Sequence, residues 1–295
     1  MEKETSNVEH NVLYLERKKT ARLYYSFSNG DSDNEILIVF INGLMVPRSG
    51  WEPTIERVVQ IRQEKGRTLP AMLAYDRFGQ GDSDPDPTDK GDQTHSLDDA
   101  VHDLHDFVAQ FRQQMNMQNK RLVFVCNSIG CPIARLFDQV YPGNVSAFLF
   151  LDSMMANTDF VSLIPDPDAT DFDEKALPAD VTSNDLRKAR EITQKVFYPS
   201  VPNKEKLDRS NTSTLLPYSD RPALSGSAGR GPLLTVVGHD WEVFAAENEV
   251  AFLAPNTRHA VTDVTPHRRA WVFRSRSFRP TSIRTGTNTI KDWSD

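Results

Sequence analysis

Two rhythms of apolar residues organise this chain. Short unbroken runs recur at residues 36–41, 71–75, 122–126, 146–151 and 232–237. Runs of that length without polar alternation predict strands buried on both faces. Residues 11–16 and 20–27 predict two further short strands, paired antiparallel at a sheet edge. Elsewhere the apolar positions fall at helical spacing. They are Ile55, Val58 and Val59 within 51–65, and Leu97, Val101, Leu104, Phe107, Val108 and Phe111 after Ser96. The same spacing links Ile133, Leu136, Phe137 and Val140 after Ile129, and Leu186, Ile192 and Val196 within 184–196. Turn-forming clusters at 29–34 and 84–92 separate these stretches.

The passage from strand to helix is sharpest at Asn127-Ser128-Ile129-Gly130, which leaves almost no room to turn. A strand that reverses this abruptly into a helix holds its central residue in a strained conformation. Small residues two positions away on either side, here Cys126 and Gly130, let the backbone pass. Pro132 lies in the first helical turn, where its missing N–H costs little. The outcome is a serine hydroxyl at the tip of a turn beside the N–H groups of a helix N-terminus. Such an arrangement suits attack on a carbonyl and retention of the oxyanion that forms. An ordinary strand-to-helix turn is the plainer reading of the same four residues.

Residues 126–130 resemble the nucleophile elbow of the α/β-hydrolase family, Gly-x-Ser-x-Gly, with Cys126 in place of the first glycine. Asn42-Gly43-Leu44-Met45, after the run at 36–41, resembles the family's His-Gly-x-Pro turn, in which the residue after the glycine offers a backbone N–H to the oxyanion. Leu44 matches that residue, while Asn42 and Met45 depart from the histidine and proline. Asp76-Arg77-Phe78-Gly79-Gln80-Gly81-Asp82-Ser83 is similar to the family's Asp-x-x-Gly-x-Gly-x-Ser loop, whose acid and arginine pin neighbouring loops. The resemblance covers about residues 11–250. It implies an α/β fold, a mostly parallel central sheet flanked by helices, with a helical cap inserted. The core would comprise 11–154 and 231–254, and the cap 155–230. A disordered linker is the alternative to the cap, particularly for 219–231, rich in serine, glycine and proline.

For such a hydrolase the resemblance implies Ser128 as nucleophile, with the Leu44 and Ile129 N–H groups holding the oxyanion and no metal or organic cofactor. Two carboxylates match positions at which the family places its acid. Asp152 ends the strand after the elbow helix, where an aspartate also serves commonly as a loop cap. Asp240 follows the strand at 232–237, two residues beyond Gly238. The histidine is harder to place, because the family's Gly-His-Phe or Gly-His-Trp motif is missing. From Pro255 onward arginine, threonine and serine abound, glutamate is absent and lysine occurs once. His259 is the leading candidate, with His267 and His239 behind it. A tail of this composition is also what a shifted reading frame or a retained intron would give. A catalytically impaired protein of the same fold, serving in binding or left by a damaged gene, is therefore the competing expectation.

Charge and composition narrow the partners. The 295 residues carry a net charge of −7, which argues against a nucleic-acid partner or an anionic membrane surface. The resemblance, for its part, implies a small acyl compound as substrate. No apolar run approaches the length of a membrane span. The first ten residues are polar and acidic, unlike a signal or transit peptide, and the two cysteines sit where packing suits them better than a bridge. A cytoplasmic protein is expected. Family members of fungal type, some in secondary-metabolite or toxin pathways, at times carry a peroxisomal tripeptide, but this chain ends Trp293-Ser294-Asp295. Asp98, Asp99, His102, Asp103, His105 and Asp106 share the polar side of one helix, where a solvated face is expected rather than a metal site.

Overall fold

The computed structural model describes residues 8–154, 156–177, 181–226 and 231–238. Among these residues seven strands form one sheet in the order β1-β2-β4-β3-β5-β6-β7. They are β1 Glu9–Leu13, β2 Leu23–Ser28, β3 Ile36–Ile41, β4 Ala71–Tyr75, β5 Arg121–Ser128, β6 Val145–Ser153 and β7 Leu233–Val237. The β1–β2 and β2–β4 pairs are antiparallel. All other neighbours are parallel. The mostly parallel α/β sheet that the resemblance implies is present, and the unbroken apolar runs form its central strands. The first two strands are shifted, β1 toward the N-terminus and β2 by three residues inward, because polar residues 16–20 form a turn instead of extending the pair.

Both faces of the central strands are covered, so neither needs a polar side. Leu37, Val39 and Ile41 of β3 face one cluster, joined by Leu104, Phe107 and Phe111 of α2 (Leu97–Gln114) and by Ile133 and Phe137 of α3 (Gly130–Val140). The alternate residue Phe40 faces a second cluster with Ile55 and Val59 of α1 (Glu52–Glu64). Aromatic rings knit α2 to the sheet: Tyr75 stacks on Phe107 at 4.5 Å and Phe27 meets Phe111 edge-on at 5.1 Å. Helix α2 starts where the sequence places it, with Ser96 and Asp99 forming a reciprocal capping box. Val140, assigned by its spacing to the buried stripe of α3, is exposed because the helix ends there.

One side of α2 departs from the solvated face its composition suggests. Asp103 is buried, and Lys18 reaches it at 2.7 Å while also reaching buried Asp86 at 2.5 Å. His102 hydrogen-bonds the Tyr141 hydroxyl at 2.6 Å and the His105 ring stacks on Tyr141 at 3.8 Å. The cause is long-range. The turn after β1 brings Lys18 onto the helix, which periodicity within α2 cannot reveal. Burial alone would lower the Lys18 pKa, but hydrogen bonds to Asp103 and Asp86 outweigh it and hold the ammonium. The two carboxylates share that ammonium unequally. Burial pushes Asp103 up, whereas for Asp86 the opposing bonds from Lys18 and Thr88 prevail and its pKa falls.

Residues 156–177 and 181–226 carry α4 (Ser183–Val196), one-turn helices at Val161–Leu163 and Glu174–Ala176, and α5 (Thr212–Leu215). This part lies on the core through a few defined contacts. Arg135 of α3 donates to the Tyr218 and Arg221 carbonyls, and the Ser225 N–H donates to Asp138 at 2.5 Å.

Replacing Lys18 by methionine strands two buried carboxylates and should cost about 3–5 kcal/mol at pH 7. A carboxyl whose folded pKa lies above its unfolded one favours folding at low pH, so the deficit should shrink as pH falls from 7 to 5. Urea unfolding of both chains at the two pH values measures this.

Candidate active site

The strand order reverses between β3 and β5: β4 lies to one side of β3, and β5 and β6 lie to the other. At such a switch point the turns leaving two adjacent parallel strands diverge, and a crevice opens at their C-terminal ends. The turn after β3 contains Gly43 and Leu44, and the turn after β5 contains Ser128 and Ile129.

Ser128 has φ of 50°, in the left-handed region that a non-glycine residue enters only at a cost. Pairing with β6 continues through Asn127 and Ser128, so the strand runs to the serine itself, two residues beyond the apolar run. Helix α3 then begins at once, with Ile129 already in right-handed conformation. Its first residue must be glycine, since a Cβ at position 130 would lie 2.5 Å from the Ile41 carbonyl oxygen. Cys126 tolerates the place of the family's first glycine because it is fully buried and small. Burial pushes the Cys131 thiol up to about 12 and Cys126 well above its ordinary value, which leaves both as unreactive thiols.

Opposite the serine, the turn after β3 comes close. A Cβ on Gly43 would stand 3.5 Å from Ser128 Cβ and 2.6 Å from Asn127 Oδ1. Behind this turn lies a buried polar network. Arg77 donates to the Asn42 carbonyl at 2.7 Å and, through Nη2, to the Gly43 carbonyl at 2.9 Å. Gln80 Nε2 also donates to the Gly43 carbonyl at 2.9 Å. Asn42 uses its side chain fully, donating to the Tyr75 carbonyl and to Gln80 Oε1 and accepting from Trp51 at 2.7 Å. Asp76 secures the other end, accepting from the Arg48 N–H at 2.6 Å and pairing with its guanidinium at 2.5 Å. Burial nonetheless raises the Asp76 pKa. The Asp-x-x-Gly-x-Gly-x-Ser loop thus pins the turn with its acid and arginine, as its pattern implies.

Asp152 stands in β6 beside the elbow. In the ladder Asn127 pairs with Leu151 and Ser128 with Ser153, so Asp152 is the extra residue of a bulge, exposed and with φ of 48°. A bulge re-aims a side chain next to a site. Leu44 is partly buried against the main core, and Ile129 is buried at the head of α3. Asp240, His259, His267 and His239 lie outside the described residues. Among the described residues, none of the four histidines hydrogen-bonds Ser128. His10 meets Ser26, His95 meets Asp89 at 3.3 Å, His102 meets Tyr141 and His105 meets Asp106.

Asp86, Asp89 and His95 bring ligand-type atoms within 4.8 Å of one another. The Lys18 ammonium already sits on Asp86, and Thr88 takes its other oxygen through two hydrogen bonds. The cationic place in that cluster is filled by the chain itself.

Sequence reasoning missed Glu205. It is buried at the back of the site, 128 positions from the arginine it pairs with. A buried arginine in the Asp76–Ser83 loop signals that some carboxylate must answer it. With 41 acidic residues in the chain, spacing does not say which.

The strain at Ser128 has a measurable sign. Ser128→Gly should be more stable than Ser128→Ala by about 1 kcal/mol, because glycine accepts the left-handed conformation. Denaturant midpoints of the two variants decide it, and alanine at least as stable as glycine would contradict the strained turn.

Comparison with known proteins adds to this geometry. The model of the alpha/beta hydrolase family matches residues 38–276. No curated protein matches the chain. Similar solved structures include an alpha/beta hydrolase from Novosphingobium aromaticivorans, 19% identical with a TM-score of 0.40, the match covering 50% of this chain and 45% of that one. A candidate lipase from Acinetobacter baumannii is 17% identical with a TM-score of 0.43, over 84% and 91% of the two chains. A mutant epoxide hydrolase from Vigna radiata is 12% identical with a TM-score of 0.46, over 79% and 81%. The chain spans about half the length of the first two solved structures it matches. With the family model covering most of its length, this chain belongs to the alpha/beta hydrolase family.

Proposed function

We propose that this chain is a serine hydrolase that cleaves a small ester, thioester or amide through an acyl-enzyme. The observation that carries the reading is Ser128, held at positive φ on a strand-to-helix turn directly opposite the Gly43–Leu44 peptide. Ser128 Oγ bonds to the substrate carbonyl carbon as a histidine takes its proton, and the carbonyl electrons move onto oxygen. The Leu44 and Ile129 N–H groups receive that oxyanion. Collapse breaks the bond to the leaving group, which takes the proton back from the histidine. Water, deprotonated by the same base, then releases the acid and restores the serine.

The base comes from His259, with His267 and His239 as the other candidates. Asp152 is favoured over Asp240 as its orienting acid by the bulge that sets it beside the elbow. No cofactor enters this chemistry. The insertion at 155–230 acts as a cap, a role supported by its contacts with α3 and with the turn opposite the serine. A cytoplasmic role in fungal secondary-metabolite or toxin biosynthesis completes the proposal and rests on the resemblance alone.

A second reading, a catalytically impaired member of the family, is favoured by one pair of observations. The four described histidines are all engaged away from Ser128, and the composition changes abruptly after Pro255.

Labelling by a fluorophosphonate discriminates the two, since it needs an activated serine and an oxyanion site but no natural substrate. The intact chain should react and Ser128→Ala should not. Asp152→Asn and His259→Ala should each slow the reaction by a factor of about a thousand or more. An intact, folded chain that fails to react supports the impaired protein instead.

A further inference from the structure

Glu205 belongs to the inserted region, yet its carboxylate is buried behind the turn that faces Ser128. Arg77 grips it twice, through Nε at 3.1 Å and Nη2 at 2.9 Å. Gln80 Nε2 donates to its other oxygen at 2.9 Å, and so does the Met45 N–H. The fit extends to the backbone. A Cβ on Gly79 would lie 2.9 Å from the Glu205 carbonyl oxygen, so the inserted segment packs directly on the glycine of the Asp76–Ser83 loop. Two hydrogen bonds beside it, His95 N–H to the Lys206 carbonyl at 3.1 Å and Asp208 N–H to the His95 carbonyl at 2.8 Å, fasten the same segment.

The consequence follows from the geometry of one peptide unit. In a planar trans peptide the C=O and the next N–H point in opposite directions. Arg77 and Gln80 both draw the Gly43 carbonyl inward. The Leu44 N–H of the same peptide is thereby turned outward, away from the network. Both donors are themselves set by Glu205, and two hydrogen bonds on a carbonyl polarise its amide and strengthen the N–H as a donor.

We propose that Glu205 is a positioning residue. Acting through Arg77 and Gln80, it aims and polarises the Leu44 N–H, so the inserted region sets the oxyanion site. The inference rests on the serine-hydrolase reading for its catalytic consequence, though not for its geometry.

One isotope-labelling pattern isolates the peptide concerned. Gly43–Leu44 is the only Gly-Leu step in the 295 residues. The full chain made with carbonyl-13C glycine and 15N leucine therefore gives one coupled amide signal, from this bond alone. In Glu205→Gln the Gly43 carbonyl resonance should move upfield as its donors loosen. The fluorophosphonate rate at Ser128 should fall roughly tenfold to a hundredfold, less than the loss of a whole oxyanion donor. Arg77→Lys keeps a partner for Glu205 but withdraws the fork from the Gly43 carbonyl, and it should show the same two changes if Glu205→Gln does not fold. Asp106→Asn, which removes an ion pair between α2 and Arg17, should leave both signals unchanged. An unmoved Gly43–Leu44 resonance with a wild-type labelling rate in folded Glu205→Gln, or in folded Arg77→Lys, overturns the proposal. A shifted resonance in a chain whose wild type never reacts retains the positioning and removes only the hydrolase reading.

Discussion

A buried guanidinium governs the face of this protein that carries Ser128. Arg77 is almost wholly removed from water, where an unpaired charge would be prohibitive, and every donor it has toward the site is used. Its bonds go to two main-chain carbonyls of one turn and to one carboxylate of the insertion. Replacing such a pair with apolar groups can leave stability unchanged, so its presence is better explained by geometry than by energy. Three elements that share no local sequence relation meet at that one side chain. They are the turn after β3, the loop after β4, and the segment around Glu205.

The sheet supplies the frame against which this polar cluster is held. Four parallel pairings run from β4 to β7 and bring the ends of β3 and β5 side by side. Gly130 lets α3 start against the Ile41 carbonyl, and that closeness lifts Ser128 into its strained conformation. The apolar core fixes one wall of the crevice and the Arg77 network fixes the other.

Much of this was legible in the sequence where the signal is local. The central strands read as unbroken apolar runs, α2 as an apolar stripe beginning after Ser96, and the elbow as a strand meeting a helix around Ser128. What escaped notice was polar and distant. Asp103 looked solvated because Lys18, which buries it, lies 85 positions away. Glu205 looked like any surface glutamate, because its hydrophilic side chain carries no periodicity and its partners precede it by more than a hundred residues. Asp152 was legible as a position but not as a bulge, since a bulge depends on the register of two strands and not on either one.

The order of the chain gives the Glu205 contact a temporal meaning. Met45 and Glu205 are separated by 160 positions. During synthesis from the N-terminus, β3, β4, β5 and the elbow all emerge before the glutamate does. Until it docks, the nascent domain holds a serine in place while the arginine behind the facing turn has no counter-ion. The turn facing Ser128 therefore gains its final support only when the insertion docks, long after the residues of the elbow have been made.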